Sequence, residues 1–351
     1  MKIENKFCRK PFEHFEVHSS GDVSLCCYTW LPYHAGRIDK HTSIKDVFNS
    51  EKVKEIRESI HDGSFRFCNS TLCPHIQNGD LPGRDEVEGP RMQRIVKERL
   101  VDNLMPDFYN LCYDESCNLQ CPSCRENKIN FNSGNEYEHR RRVQERIVKD
   151  LFYTSHTKNC TVNITGSGDP FGSKLFRELL FNVDCERCPN LNINLQTNGV
   201  MFTEKYWKKM YKLHNNINTV IVSYDAGTED TYNITRQGGD WDRLQYNMKF
   251  LSELRQKKLI GDLRIDFVVQ QANYKEMPLV VEIGKKLKVD KVYFSLVVNW
   301  GTWTNDQYME RAIYSKSHFE YEKFLDVLCD PILNDDIVDM GNVTQFKEIV
   351  I

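Results

Sequence analysis

The sequence predicts an α/β protein: a partial (βα)6 barrel of the TIM type with a small α/β module in front of it. Two patterns carry this reading. From residue 107 onward, short runs suited to strands alternate with segments whose apolar residues recur every three or four positions. Such alternation implies parallel strands joined by right-handed crossovers, and six units are too few to close an eight-stranded barrel. The second pattern is compositional: thirteen cysteines in 351 residues, many of them in two groups, at residues 8–73 and 117–124.

The first 76 residues read as the module. Residues 15–18 suit a strand, Ser20-Gly21-Asp22 a turn, and residues 23–26 the returning strand of a hairpin. Thr42-Ser43 can cap a helix carrying Ile44, Val47, Phe48, Val53, Ile56 and Ile60, which ends at Gly63. Residues 77–104 read as a linker, rich in glycine, proline and charge, with a short helix over 91–101. The barrel occupies 105–300, with strands over 107–113, 161–165, 191–196, 218–224, 262–270 and 290–298. Its helices include one with Val143, Ile147, Val148 and Leu151, and another with Leu244, Met248, Leu251 and Leu254. Residues 301–351 carry an aromatic helix over 314–329, expected to pack on the barrel, and a less regular tail.

Composition excludes several classes of function. A net charge of −3, with basic and acidic residues interspersed, leaves no nucleic-acid footprint. No apolar run is long enough to span a bilayer, and MKIENKFCRK lacks the apolar core of a signal peptide. The expectation is a cytoplasmic protein in which cysteines serve as metal ligands and not as disulfides.

The most specific signal is Cys117-Asn118-Leu119-Gln120-Cys121-Pro122-Ser123-Cys124, spaced C-x3-C-x2-C. Three thiolates hold a cubic 4Fe–4S cluster by three of its irons and leave the fourth open to another ligand, whereas electron-carrying clusters are normally closed by four cysteines. A structural zinc site usually brings two C-x2-C pairs, and no second pair adjoins this triad. The run resembles the signature loop of the radical S-adenosylmethionine (SAM) enzymes. That resemblance implies that SAM chelates the open iron and is cleaved to a 5′-deoxyadenosyl radical, which abstracts hydrogen from a substrate toward net oxidation or bond formation. It also implies a flavodoxin- or ferredoxin-type electron donor and a peptide or small-molecule substrate. The alternative is a non-catalytic zinc or iron–sulfur binding or electron-transfer protein that uses the barrel as a scaffold. The triad would lie after the first barrel strand, at the strand end where such folds bind ligands.

Further motifs extend the resemblance. Gly166-Ser167-Gly168-Asp169-Pro170 follows the second strand and is similar to the family's glycine-glycine-glutamate-proline loop, which implies contact with the SAM ammonium group. Asn198 in Thr197-Asn198-Gly199 follows the third strand and is a candidate SAM contact, although Asn-Gly is also a common turn. Ser223 and Arg236 stand where related enzymes bind the SAM carboxylate, chemistry that suits a guanidinium. Gln270, Asn273, Asn299 and Trp300 end later strands, where adenine or substrate would lie.

The cysteines ahead of the barrel form the second group. Cys8, Cys26, Cys68 and Cys73 resemble the auxiliary-cluster modules called SPASM or twitch domains, here in front of the barrel. The resemblance implies a second 4Fe–4S cluster, with Cys27 spare or exchanging with Cys26. A zinc ion on the same four ligands is the alternative. Cys112, Cys160, Cys185, Cys188 and Cys329 read as buried packing residues. The ten histidines show no metal-ligand pairing.

Overall fold

In the computed structural model, which describes residues 3–153, 159–186 and 188–350, the chain forms two compact units. The first comprises Met1–Asp114, Asn132–Ser167 and Val183–Asn192; the second comprises Glu115–Phe131, Gly168–Asn182 and Ile193–Ile351.

The first unit holds strands β1 (His14–Val17), β2 (Asp22–Ser24), β3 (Gly36–Arg37), β4 (Phe108–Leu111) and β5 (Cys160–Ile164). Their order is β5-β4-β1-β2-β3. β1 and β2 form the expected antiparallel hairpin. Gly21 makes its turn at φ +84°, where a methyl group would lie 2.5 Å from the Ile38 carbonyl oxygen. On its other edge β1 runs parallel to β4, Phe15 opposite Tyr109, and β4 runs parallel to β5.

The single helix expected after Ser43 is two, Ile44–Phe48 and Glu51–His61. Ser43 and Asp46 form a capping box on the first. Asn49 then donates to Lys45 O and Leu104 O, and Ser50 donates to Ala35 O with an extended backbone, so side chains take over the hydrogen bonding that would continue the helix. The second helix buries Val53, Ile56 and Ile60 completely, each contributing about 1.5–3 kcal/mol. The stretch read as a linker is bonded to the N-terminal segment, Phe7 N–H donating to Pro82 O and Arg84 N–H to Asn5 O. The short helix ends early, as Pro90–Glu98, because Arg99 turns left-handed at φ +51°.

The second unit carries β6 (Leu191–Thr197, its first two residues counted in the first unit), β7 (Ile217–Ser223), β8 (Asp262–Val269), β9 (Lys291–Leu296) and β10 (Val338–Asp339). They lie in that order and all neighbours are parallel. Helices Glu204–Lys209, Glu229–Thr235, Trp241–Gln256 and Met277–Leu287 connect them, as the α/β class requires. Burial alternates strictly along β6 and β8. One face therefore packs on helices through residues such as Leu195 and Phe267. The other face carries Asn194, Gln196, Arg264 and Asp266.

The C-terminal region differs from the expectation. The helix is only Tyr321–Leu328, because turns at Ser315 and His318 interrupt the apolar pattern, and Phe319 is 81% exposed instead of packed. Cys329, expected to be buried, is exposed just past the helix end, while Cys112, Cys160, Cys185 and Cys188 are buried. No helix among the described residues is long and apolar enough to cross a membrane.

Candidate functional site

In the second unit, the loop 115–131 is pinned at both ends: Cys117 N–H donates to Ile129 O at 3.0 Å and Phe131 N–H to Ser116 Oγ at 2.8 Å. Leu119 is buried beneath it, and Cys124 and Arg125 N–H groups both donate to Cys121 O. This turn presents Cys121 buried, Cys117 half-buried and Cys124 exposed. Burial pushes the Cys117 thiol up to about 12 and raises Cys121 as well. Such groups become thiolates when a metal displaces the proton.

Asp169 is tied to the end of β6. Its Oδ2 accepts from Thr197 Oγ1 at 2.7 Å and Asn198 N–H at 2.8 Å, while Oδ1 accepts from Phe171 and Gly172 N–H at 2.9 and 2.8 Å. The carboxylate in the glycine loop is thus used to hold that loop against Thr197-Asn198-Gly199. Asn198 in turn donates Nδ2 to Asn118 Oδ1 at 2.9 Å and approaches Cys117 Sγ at 3.7 Å. Arg236 donates Nη2 to Asp225 at 2.7 Å and Nη1 to Cys121 Sγ at 3.6 Å, with its Nε buried and without a partner. Ser223 ends β7, paired in register with Asp266.

Gln270 lines a cavity of about 310 Å³ with Pro122, Ser123, Thr235, Gln237, Trp303 and Arg311. Asn273 and Asn299 are loop holders: Asn273 donates to Asp225 O and Val268 O, and Asn299 to Trp303 O. Trp300 is 74% exposed.

In the first unit, Gly166 sits against Cys112, where a methyl group would lie 2.8 Å from the sulfur, and Ser167 Oγ donates to Cys112 O. Cys8, Cys26, Cys68 and Cys73 border one pocket with Trp30, Leu31, Phe65 and Ile76. Phe65, at φ +48°, sets the turn in which Cys68 N–H donates to its carbonyl, and Cys73 opens the helix Pro74–Asn78. Cys27 points elsewhere, exposed, its sulfur 3.1 Å from Thr29 Oγ1. Burial pushes Cys8, Cys26 and Cys68 up to about 12. Among the described residues no group of three His, Cys, Asp or Glu side chains is arranged to grip a single metal ion.

One constellation was not foreseen. His14, Glu16 and His18 share one side of β1 and its extension, each imidazole Nε2 lying 3.5 Å from a different Glu16 oxygen. Asn110 donates to Glu16 at 2.9 Å, Asn163 donates to Asn110, and His18 pairs with Ser24 Oγ. Burial opposes ionisation of Glu16, but hydrogen bonds from His14 and Asn110 outweigh it and hold the carboxyl below its ordinary value. The H-x-E-x-H alternation at 14–18 was the group's sequence signal.

Two groups of cysteines and parallel βα units place the chain in the α/β class with thiols available as ligands. Residues 115–264 match the radical SAM superfamily, and residues 8–74 match an iron–sulfur cluster-binding domain of the SPASM type. The chain therefore carries a radical SAM domain behind an N-terminal SPASM domain, and its cofactors are 4Fe–4S clusters and SAM. The residues present fit them: thiols border the N-terminal pocket, and Arg236 Nε is an unused buried donor.

No curated protein matches the chain. Among solved structures it is similar to anSMEcpe with bound AdoMet, at 21% identity and a TM-score of 0.40, covering 53% of this chain and 48% of that one. It is also similar to Streptococcus suis SuiB bound to its precursor peptide SuiA, at 12% identity and a TM-score of 0.46, covering 87% and 66%. The chain thus spans about half the length of the first and about two thirds of the second.

Proposed function

We propose that the chain is a radical SAM enzyme that abstracts hydrogen from a peptide or small-molecule substrate and completes a net oxidation or bond formation. The observation that carries this is the triad on one pinned loop, with Asn198 and Arg236 brought from later strand ends against two of its sulfurs. When bound, the clusters and SAM supply one-electron chemistry: reduction of the sulfonium to a 5′-deoxyadenosyl radical, and a sink for the electron left on substrate.

The chain's own residues do the rest. Cys117, Cys121 and Cys124 hold the first cluster, and Cys8, Cys26, Cys68 and Cys73 hold the second, with Cys27 outside the pocket. Gly166, Ser167 and Gly168 offer backbone to the SAM ammonium group, and Asp169 accepts the backbone N–H of Asn198. Ser223 and the spare Nε of Arg236 receive the carboxylate. The amide-lined cavity at Gln270 takes polar substrate groups. In this reading residues 1–76 are the auxiliary-cluster domain, 77–104 the linker and short helix, 105–300 the barrel and 301–351 the C-terminal helix and tail. The thirteen free thiols suit a cytoplasmic enzyme served by a flavodoxin- or ferredoxin-type donor.

The test is anaerobic reconstitution followed by incubation with SAM and dithionite. Production of 5′-deoxyadenosine is expected, and its loss when Cys117, Cys121 and Cys124 are all replaced by Ala. Unchanged production by that triple variant rejects the reading.

A further inference from the structure

Each sulfur of the triad meets a different side-chain donor of the second unit. Asn198 Nδ2 approaches Cys117 Sγ at 3.7 Å, Arg236 Nη1 approaches Cys121 Sγ at 3.6 Å, and Arg125 Nη2 approaches Cys124 Sγ at 3.3 Å. The donors come from a strand end, a helix end and the cysteine loop itself. Two are guanidiniums, which stay charged at any working pH. Both are held in place: Arg236 by its ion pair with Asp225, its side chain 13% exposed, and Arg125, 8% exposed, by donating Nη1 to Glu115 O at 2.7 Å.

A cluster held by three thiolates carries net negative charge, and reduction adds more. In a poorly solvated site that added charge is costly, because the surroundings screen it weakly. Hydrogen bonds and cations at the sulfurs stabilise the reduced form more than the oxidised one, and so raise the reduction potential. Cys121, which is 5% exposed, has the least solvent of the three and receives one of the guanidiniums. Cys124 receives the other, at the shortest of the three distances.

We propose that Arg125 is a positioning residue that sets the reduction potential of the triad's cluster, through its N–H···S contact to Cys124. It eases the uptake of one electron from an external reductant, with no bond made or broken in that step. The inference rests on the cluster assignment above and goes beyond it, because that assignment requires only the cysteines.

The test is a redox titration of the reconstituted full chain, poised with dithionite and followed by the electron paramagnetic resonance of the reduced clusters. Arg125→Lys, Arg125→Gln and Arg125→Met are compared with the unaltered chain, and Lys257→Gln controls for loss of an exposed positive charge. The triad's signal is the one that disappears when Cys117, Cys121 and Cys124 become Ala; a signal unchanged in that variant means that the cluster assignment itself has failed. The expected result is a lower midpoint potential for the triad's cluster in Arg125→Gln and Arg125→Met and a smaller lowering in Arg125→Lys. The N-terminal cluster should keep its potential throughout, and Lys257→Gln should match the unaltered chain. An unshifted midpoint in Gln and Met variants that retain full iron overturns the proposal. Loss of the triad's cluster from all three Arg125 variants also overturns it, because Arg125 would then be a structural support.

Discussion

Asp169 Oδ2 accepts the backbone N–H of Asn198 at 2.8 Å, joining the end of one strand to the loop that follows another. Thr197 Oγ1 donates to the same oxygen, and two further N–H groups fill Oδ1. A shorter side chain than glutamate suits this work, since the carboxylate must turn back onto its own loop. Asp169→Asn presents an NH2 group to N–H donors and leaves a buried donor unpaired, at a cost of about 1–3 kcal/mol. The expected outcome is a lowered melting temperature together with weaker SAM binding by equilibrium dialysis. A variant as stable as the parent that binds SAM normally contradicts it.

The N-terminal pocket separates two adjacent cysteines that the sequence leaves interchangeable. Cys26 borders the pocket and Cys27 faces Thr29. Cys26→Ala is therefore expected to lose about four of about eight irons per chain, and Cys27→Ala to retain them all. Iron and sulfide analysis after anaerobic reconstitution decides between them, and full retention in both variants would mean that the two thiols exchange.

The six parallel strands and the triad are legible because each depends on neighbours in sequence: alternation of apolar residues, and cysteines within eight positions. What escapes such reading depends on residues far apart. Nothing local in Cys124-Arg125 or Thr235-Arg236 tells that both guanidiniums reach sulfurs. Glu16 reads as the solvent side of a short strand until β4 is laid beside β1 and Asn110 meets it. Phe319 and Cys329 fail for the opposite reason. Their apolar spacing continues the helix pattern, but turns at Ser315 and His318 break the helix before Phe319, and Cys329 falls past its last residue.

Gly166 offers a test of the ligand loop that does not touch the clusters. A methyl group there would lie 2.8 Å from Cys112 Sγ and 3.4 Å from Asn110 Nδ2. Gly166→Ala is expected to displace the loop and weaken SAM binding about tenfold, equivalent to about 1.4 kcal/mol. Adding Cys112→Ala removes the obstructing sulfur, so the double variant should recover part of the affinity, a coupling that a double-mutant cycle measures. Strictly additive effects would show that the clash is relieved elsewhere.

Glu320 contributes to the pH dependence of the C-terminal region. Gln271 Nε2 donates to it at 3.1 Å, and Lys275 and Lys323 each stand 3.3 Å from its other oxygen. The Gln271 hydrogen bond, helped by the two ammonium groups, holds the carboxyl down at about 2, against an ordinary 4.5. A carboxyl whose value is lower in the folded chain binds protons more readily when unfolded. Its stabilisation is therefore complete above pH 4.5 and is lost as the pH falls through that range toward 2. Urea unfolding of the chain and of Glu320→Gln should show the parent more stable at pH 7, with the gap closing below about pH 4.5. High salt should narrow the gap at pH 7, because the lysine contribution is screened. A gap that stays constant from pH 7 to pH 3 would show that the carboxylate's charge contributes nothing, leaving only its shape and its hydrogen bond to Gln271.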